Sequence, residues 1–267
     1  MYLVGADGGG YRSEIGNGGS EIEEWDCYSQ PSGLHYSPPA DNRAYQSADW
    51  LDFQWCQTGH NGEHIPERVA EMWRNEPSKA VANGEPTYEQ IGWPNNATGW
   101  WQGHEAWCKL CAGGTMGVVY GGGSLWQWRL HKDEPGFEEW AHAAGAGWRE
   151  ALDFEGSAYV GILSRIFKDL HFADMSPNWS YTNGRRGLAV PGKLLVTYLP
   201  DGGELAIFGK DVPEAYRVMD PRTGNIVSSG RTTGDYRKIP VAWELGVPKV
   251  VICSETFDLQ HSATVVA

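Results

Sequence analysis

Two acidic residues, each placed just after a short apolar run, are the positions of this chain best suited to bond-breaking chemistry. Ala82-Asn83-Gly84-Glu85-Pro86-Thr87-Tyr88-Glu89 continues the run Lys79-Ala80-Val81-Ala82 and is interrupted by a Gly and a Pro. That pattern predicts a buried strand ending in the carboxylate of Glu85. Tyr2-Leu3-Val4-Gly5-Ala6 predicts a second strand, which ends in Asp7 ahead of Gly8-Gly9-Gly10, a loop flexible enough to approach a ligand closely. Acids just past the C-terminal ends of parallel strands stand where barrel enzymes keep their reacting groups. Two such carboxylates are the minimal apparatus for cutting a glycosidic bond. At a separation of roughly 5 to 5.5 Å one acts as nucleophile and the other as acid/base, with retention of configuration. Tyr88, close in sequence to Glu85, can donate a hydrogen bond that holds a carboxylate ionised, as a nucleophile requires. Glu89 is the rival acid, read here as a supporting group.

Other polar and aromatic residues surround this pair in the sequence. His60-Asn61-Gly62-Glu63-His64 has the H-x-x-E-H spelling of one class of zinc peptidases. Zinc binding by that motif needs a helix, whereas Asn61-Gly62 is a turn signal and Pro66 suits a first helical turn only after it. A zinc hydrolase using His60 and His64 is therefore the distant alternative, and neither metal nor cofactor is expected. His60 and Gln57 read instead as strand-end groups for substrate hydroxyls, with His35 at the corresponding end of the strand predicted at 33–37. Tyr120-Gly121-Gly122-Gly123-Ser124-Leu125-Trp126-Gln127-Trp128 lacks the Gly-Lys-Ser/Thr ending of a phosphate loop. Its Tyr120, Trp126 and Trp128 are candidate walls of a sugar site. With Tyr88 and Glu89 these complete the substrate-binding set.

The elements that must position these residues alternate. Strands are predicted at 2–6, 33–37, 51–57, 79–83 and 116–120, and helices at 20–28, 65–75, 99–111, 136–150 and 157–170. Such alternation implies parallel strands with crossover helices, an α/β fold. From about residue 184 the pattern changes to short strands with tight turns. The runs 193–199 and 204–208 flank Pro200-Asp201-Gly202-Gly203 and predict a hairpin. Ala215 to Met219, the turn Asp220-Pro221-Arg222-Thr223-Gly224, and the runs 225–228 and 249–253 extend the series into a small antiparallel sandwich. The expected domains are 1–180, carrying both acids, and 181–267, in which no acids or histidines cluster at strand ends.

Composition narrows the function classes. The chain has 267 residues and a formal charge of −13 spread along its length, with no basic patch, which argues against a nucleic-acid partner. No apolar run reaches the roughly 18 residues needed to span a membrane. Met1-Tyr2-Leu3-Val4-Gly5 has neither the basic nor the long apolar region of a signal peptide. Cys108-Lys109-Leu110-Cys111 has no matching second pair, so both thiols read as small buried apolar groups. Fourteen Trp and twelve Tyr are enough to serve both a core and a stacking surface for sugar rings.

Taken in order, these segments resemble the apiosidase-like enzymes of glycoside hydrolase family 140, barrels followed by a small C-terminal β domain of the collagen-binding type. The resemblance rests on Leu3-Val4-Gly5-Ala6-Asp7, Trp50-Leu51-Asp52-Phe53, Gln57-Thr58-Gly59-His60, Asn83-Gly84-Glu85-Pro86-Thr87-Tyr88-Glu89 and the stretch 117–121 with Trp126. Tyr198-Leu199-Pro200-Asp201-Gly202 and Asp220-Pro221-Arg222-Thr223-Gly224 carry it into the second domain. It implies a partial (β/α)8 TIM-type barrel, about strands 4–8, followed by a small antiparallel β-sandwich. It further implies Asp7 at the end of strand four as acid/base, Glu85 at the end of strand seven as nucleophile, and a carbohydrate substrate from pectic side chains. On this reading the first three barrel strands are not in the chain. A non-catalytic carbohydrate-binding remnant is then the alternative to an enzyme, and a partner chain or second copy could complete the barrel.

Overall fold

The computed structural model describes residues 2–6, 12–36, 43–59, 65–91, 97–126, 130–134, 146–170 and 172–257. The chain divides into two compact units, Met1–Ala158 and Tyr159–Ala267.

The first unit is built on a five-stranded sheet of β1 (Tyr2–Ala6), β2 (Ser32–Tyr36), β3 (Phe53–Gln57), β4 (Ala80–Glu85) and β5 (Gly117–Val118). The strands lie in sequence order and every neighbouring pair is parallel. Helices α1 (Arg12–Trp25), α2 (Pro66–Trp73) and α3 (Trp100–Ala112) carry the chain between strands, followed by α4 (Gly123–Trp126) and α5 (Trp148–Ala151). The helix α6 (Glu155–Phe167) runs across the boundary between the units. Sequential parallel strands joined by helices are the construction of a (β/α)8 barrel, of which this sheet is a part. Parallel strands covered on both faces read as continuous buried runs rather than alternating ones. So it is in β4, where Val81, Ala82, Asn83 and Gly84 are all buried.

Local sequence explains most element ends. Pro66 opens α2, where its missing N–H costs nothing, and Val69, Ala70 and Met72 form the buried face. Nearly all of α3 is buried, from Gln102 to Ala112 except His104, and it packs on α2 and β5. It ends at Gly113, whose φ of 132° suits glycine. The sequence predicts a helix over 20–28, whereas α1 runs Arg12–Trp25. Gly16, Gly18 and Gly19 look like a loop on propensity, but a Cβ at Gly19 would sit 2.4 Å from the Trp50 ring. Packing retains the glycine inside the helix. Of the helix predicted at 136–150, residues 136–145 lie outside the described residues and α5 overlaps its end.

The second unit is an antiparallel sandwich. One sheet has the order β11 (Ile226–Arg231), β10 (Ala215–Met219), β13 (Lys249–Ser254), β8 (Leu194–Leu199), β7 (Gly187–Val190), β6 (Ser176–Pro177). The other pairs β12 (Tyr236–Ile239) with β9 (Leu205–Phe208). Leu195, Leu199, Val218, Val251 and Cys253 of the first sheet meet Leu205, Ile207 and Ile239 of the second in one core. Beta-10 and β11 pair antiparallel across the turn predicted at 220–224. The hairpin predicted from 193–199 and 204–208 does not form. Beta-8 pairs with β7 and β13, β9 pairs with β12, and the intervening turn carries the chain from one sheet to the other. Gly202 makes this crossing possible, because its φ is 65° and a Cβ there would lie 2.1 Å from the Ala242 carbonyl oxygen. Pairing two apolar strands across a core buries more surface than pairing them edge to edge.

Candidate active site

Glu85 is the last residue of β4, partly exposed, and lies in register with Gln57 at the end of β3. His35, near the end of β2, reaches across β3 and places Nε2 2.6 Å from Glu85 Oε2. At that separation a protonated imidazole and the carboxylate form an ion pair. Trp55, on the intervening strand β3, has its ring 6.5 Å from that of His35, edge on, and covers Gly84. A Cβ at Gly84 would sit 1.8 Å from a Trp55 ring atom, so the residue preceding the carboxylate must be glycine for the indole to pack there. Tyr88 packs its ring on Gly121, where an added Cβ would lie 2.3 Å away. Burial raises the Tyr88 phenol above its ordinary value and the negative charge of Glu85 raises it further, which keeps the hydroxyl protonated as a donor.

Glu89 has a different environment. It is 2 % exposed, and Oε1 accepts from the Gly99 N–H at 2.8 Å while Oε2 accepts from the Gly156 N–H at 2.9 Å and the Tyr120 hydroxyl at 2.7 Å. Gly99 precedes α3 and Gly156 is the second residue of α6, so one carboxylate satisfies orphan amides at two helix starts. Burial, then the bond to Glu89, raises the Tyr120 phenol.

The sequence-predicted residues His35, Gln57, Glu85 and Tyr88 thus gather at the C-terminal ends of β2, β3 and β4, with Glu89 and Tyr120 joined to each other beside them. Trp126 falls in α4. Asp7, His60, His64 and Trp128 lie outside the described residues, although β1, which leads into Asp7, ends with Ala6 in register with Tyr36 of β2. No group of three or more potential metal-ligating side chains occurs among the described residues. Among those residues no helix is long and apolar enough to cross a membrane. A cavity of about 530 Å³ in the second unit is lined by Ile162, Arg165, Arg217 and Phe257 among others; Asp169 is its one acid, so it offers no carboxylate pair.

Three residues of this region carry no strand-end signal and are not in the sequence-predicted set: Trp55, Glu105 and Lys109. Glu105 and Lys109, one helical turn apart in α3, are 1 % and 0 % exposed. Their legible trace is an acid and a base four residues apart in α3, among Ala106, Trp107, Cys108, Leu110, Cys111 and Ala112. Burial pushes the Glu105 carboxyl up to about 7 and draws the Lys109 ammonium down to about 8, each partly offset by the other's charge.

Residues 1–174 match the family model described as the catalytic domain of the apiosidase-like type. The chain belongs to the apiosidase-like family. Two solved structures share the fold of this apiosidase-like chain. One is a protein named glycoside hydrolase (TM-score 0.73, 18 % identity), which the alignment covers over 92 % of this chain and 62 % of that one. The other is a glycoside hydrolase of family 5 from Bacteroides vulgatus ATCC 8482 (TM-score 0.77, 19 % identity), with 94 % and 61 % covered. The apiosidase-like chain therefore spans about three fifths of the length of the structures it matches. No curated protein matches it in sequence.

Proposed function

We propose that this chain is a retaining glycoside hydrolase domain acting on pectic side chains of plant cell-wall polysaccharide, in the manner of glycoside hydrolase family 140. Glu85 is the nucleophile and Asp7 the acid/base. The observation that carries this reading is the 2.6 Å contact of His35 with a carboxylate at the end of a parallel strand, in a chain of the apiosidase-like family. A nucleophilic carboxylate must be ionised and aimed, and a strand-end Glu held by an imidazole beside an indole meets both needs. Attack by Glu85 on the anomeric carbon forms a glycosyl ester while Asp7 protonates the departing oxygen. Asp7 then draws a proton from water, which cleaves the ester. Tyr88, Gln57 and His60 serve the sugar hydroxyls, and Trp126 and Trp128 offer stacking faces.

The test is the stereochemistry of the first product from an aryl glycoside, followed by proton NMR, together with trapping by an activated 2-fluoro glycoside. Retention and a mass label on Glu85 are expected, and Glu85→Gln should lose turnover without loss of folding. Inversion, or a label on another residue, refutes the assignment. Calorimetric binding of pectic oligosaccharides with no product released would replace it with a non-catalytic carbohydrate-binding role.

A further inference from the structure

Beyond Glu85 the backbone leaves β4, and a small network fixes where it goes. The Thr58 N–H donates to the Glu85 carbonyl oxygen at 3.0 Å, and the Thr87 hydroxyl donates to the Gly59 carbonyl oxygen at 3.1 Å. These two bonds tie the segment after β3 to the segment after β4. Both segments then converge on one side chain of α3. The Thr58 hydroxyl lies 3.3 Å from Glu105 Oε1 and 3.2 Å from Asn83 Oδ1, and the Thr87 N–H donates to Glu105 Oε2 at 3.2 Å.

Burying a carboxylate is costly unless its oxygens are satisfied, so its placement needs a reason. Pairing with Lys109 is a poor one. The ammonium is 3.9 Å from Oε1 and has no hydrogen-bond acceptor among the described residues. A buried pair at that distance is no more stabilising than apolar side chains of the same volume. The Glu105 oxygens are instead spent on the two threonines that flank the strand-end acid. We propose that Glu105 is a positioning residue for Glu85, its carboxylate holding Thr58 and Thr87 so that the β4 acid keeps a fixed place beside β3. Lys109 supplies the counter-charge that makes a carboxylate tolerable at that depth. The inference rests on Glu85 being the nucleophile.

The experiment compares the full wild-type chain with Glu105→Ala, Glu105→Gln and the double variant Glu105→Ala/Lys109→Met. It reads amide hydrogen exchange at Thr87 and Thr58, the melting temperature, and kcat and KM. In Glu105→Ala the Thr87 amide should exchange about tenfold to a hundredfold faster, the size of a lost bond to a charged acceptor, with kcat falling and KM little changed. Glu105→Gln should restore both, because its amide oxygen accepts from Thr87 and its NH2 group donates to the Thr58 hydroxyl. The double variant, which leaves no unpaired ammonium, should regain melting temperature but not Thr87 protection. Unchanged Thr87 exchange in Glu105→Ala, or its recovery on adding Lys109→Met, overturns the inference and leaves a packing role only. Turnover retained in Glu85→Gln refutes the nucleophile reading instead, and the two failures are read on different variants.

Discussion

Replacing Glu89 by Ala removes the acceptor shared by two helix starts and a half-buried phenol. Three donors lose their partner: the Gly99 and Gly156 amides and the Tyr120 hydroxyl. A buried donor left unsatisfied costs about 1–3 kcal/mol, and relief from burying the carboxylate offsets part of the sum, so about 3–5 kcal/mol is expected for Glu89→Ala. Against a typical net stability of about 5–15 kcal/mol this is a large loss. Glu89→Gln keeps one accepting oxygen but turns an NH2 group toward a donor, and should cost about 1–3 kcal/mol. Urea unfolding followed by far-UV circular dichroism and Trp fluorescence measures both, and hydrogen exchange at the first turn of α3 localises the effect. Because α3 has no side-chain cap of its own at Gly99, its first amides should exchange fastest in Glu89→Ala. The reasoning is refuted if Glu89→Ala lies within about 0.5 kcal/mol of wild type with that turn still protected. If Glu89→Gln instead leaves stability intact and raises KM, the carboxylate contacts sugar and not the helices.

Gly84→Ala forces a methyl against the Trp55 ring, and overpacking of this kind costs about 1–3 kcal/mol; Trp55→Leu should recover part of it in the double variant, which thermal melts will show. Burial holds Glu105 protonated up to about 7, above its ordinary 4.5, so between these values the native chain binds a proton that the unfolded chain does not. Wild type should therefore gain stability relative to Glu105→Gln as pH falls through that window, by at most about 1.4 kcal/mol per pH unit, and the opposite slope in urea titrations would refute it. In the sandwich, the buried Arg237 guanidinium donates to the carbonyl oxygens of Gly209, Gly234, Val212 and Pro213. Arg237→Met should cost about 3–5 kcal/mol by leaving these acceptors bare, with little recovery in Arg237→Lys because an ammonium cannot span the same fork. Equal melting temperatures for the three proteins would contradict that role.

What was legible in the sequence is what short-range physics writes there. Apolar runs ending in Gly, Pro or an acid marked β1, β3 and β4 and put Glu85, Tyr88 and Glu89 at one strand end. The turn from Asp220 to Gly224 marked the β10–β11 hairpin, since turn chemistry and strand period act within a few residues. The pair Glu105 and Lys109 was visible as letters but not as a site, because only the packing of α3 on α2 and β5 buries it and brings its oxygens to Thr58 and Thr87. Tertiary packing also decided that His35 meets Glu85, across an intervening strand, and that α1 keeps Gly19 against Trp50. It decided that the runs around Pro200 part company into two sheets rather than closing as a hairpin. The amino-acid sequence by itself marked the five parallel strands and put Glu85 at the end of one of them, since strand period and turn residues act within a few residues. Which distant segments pair, and which polar groups are driven together out of water, was decided only by the burial of long-range apolar surface. That term depends on the whole arrangement and on no single stretch of chain.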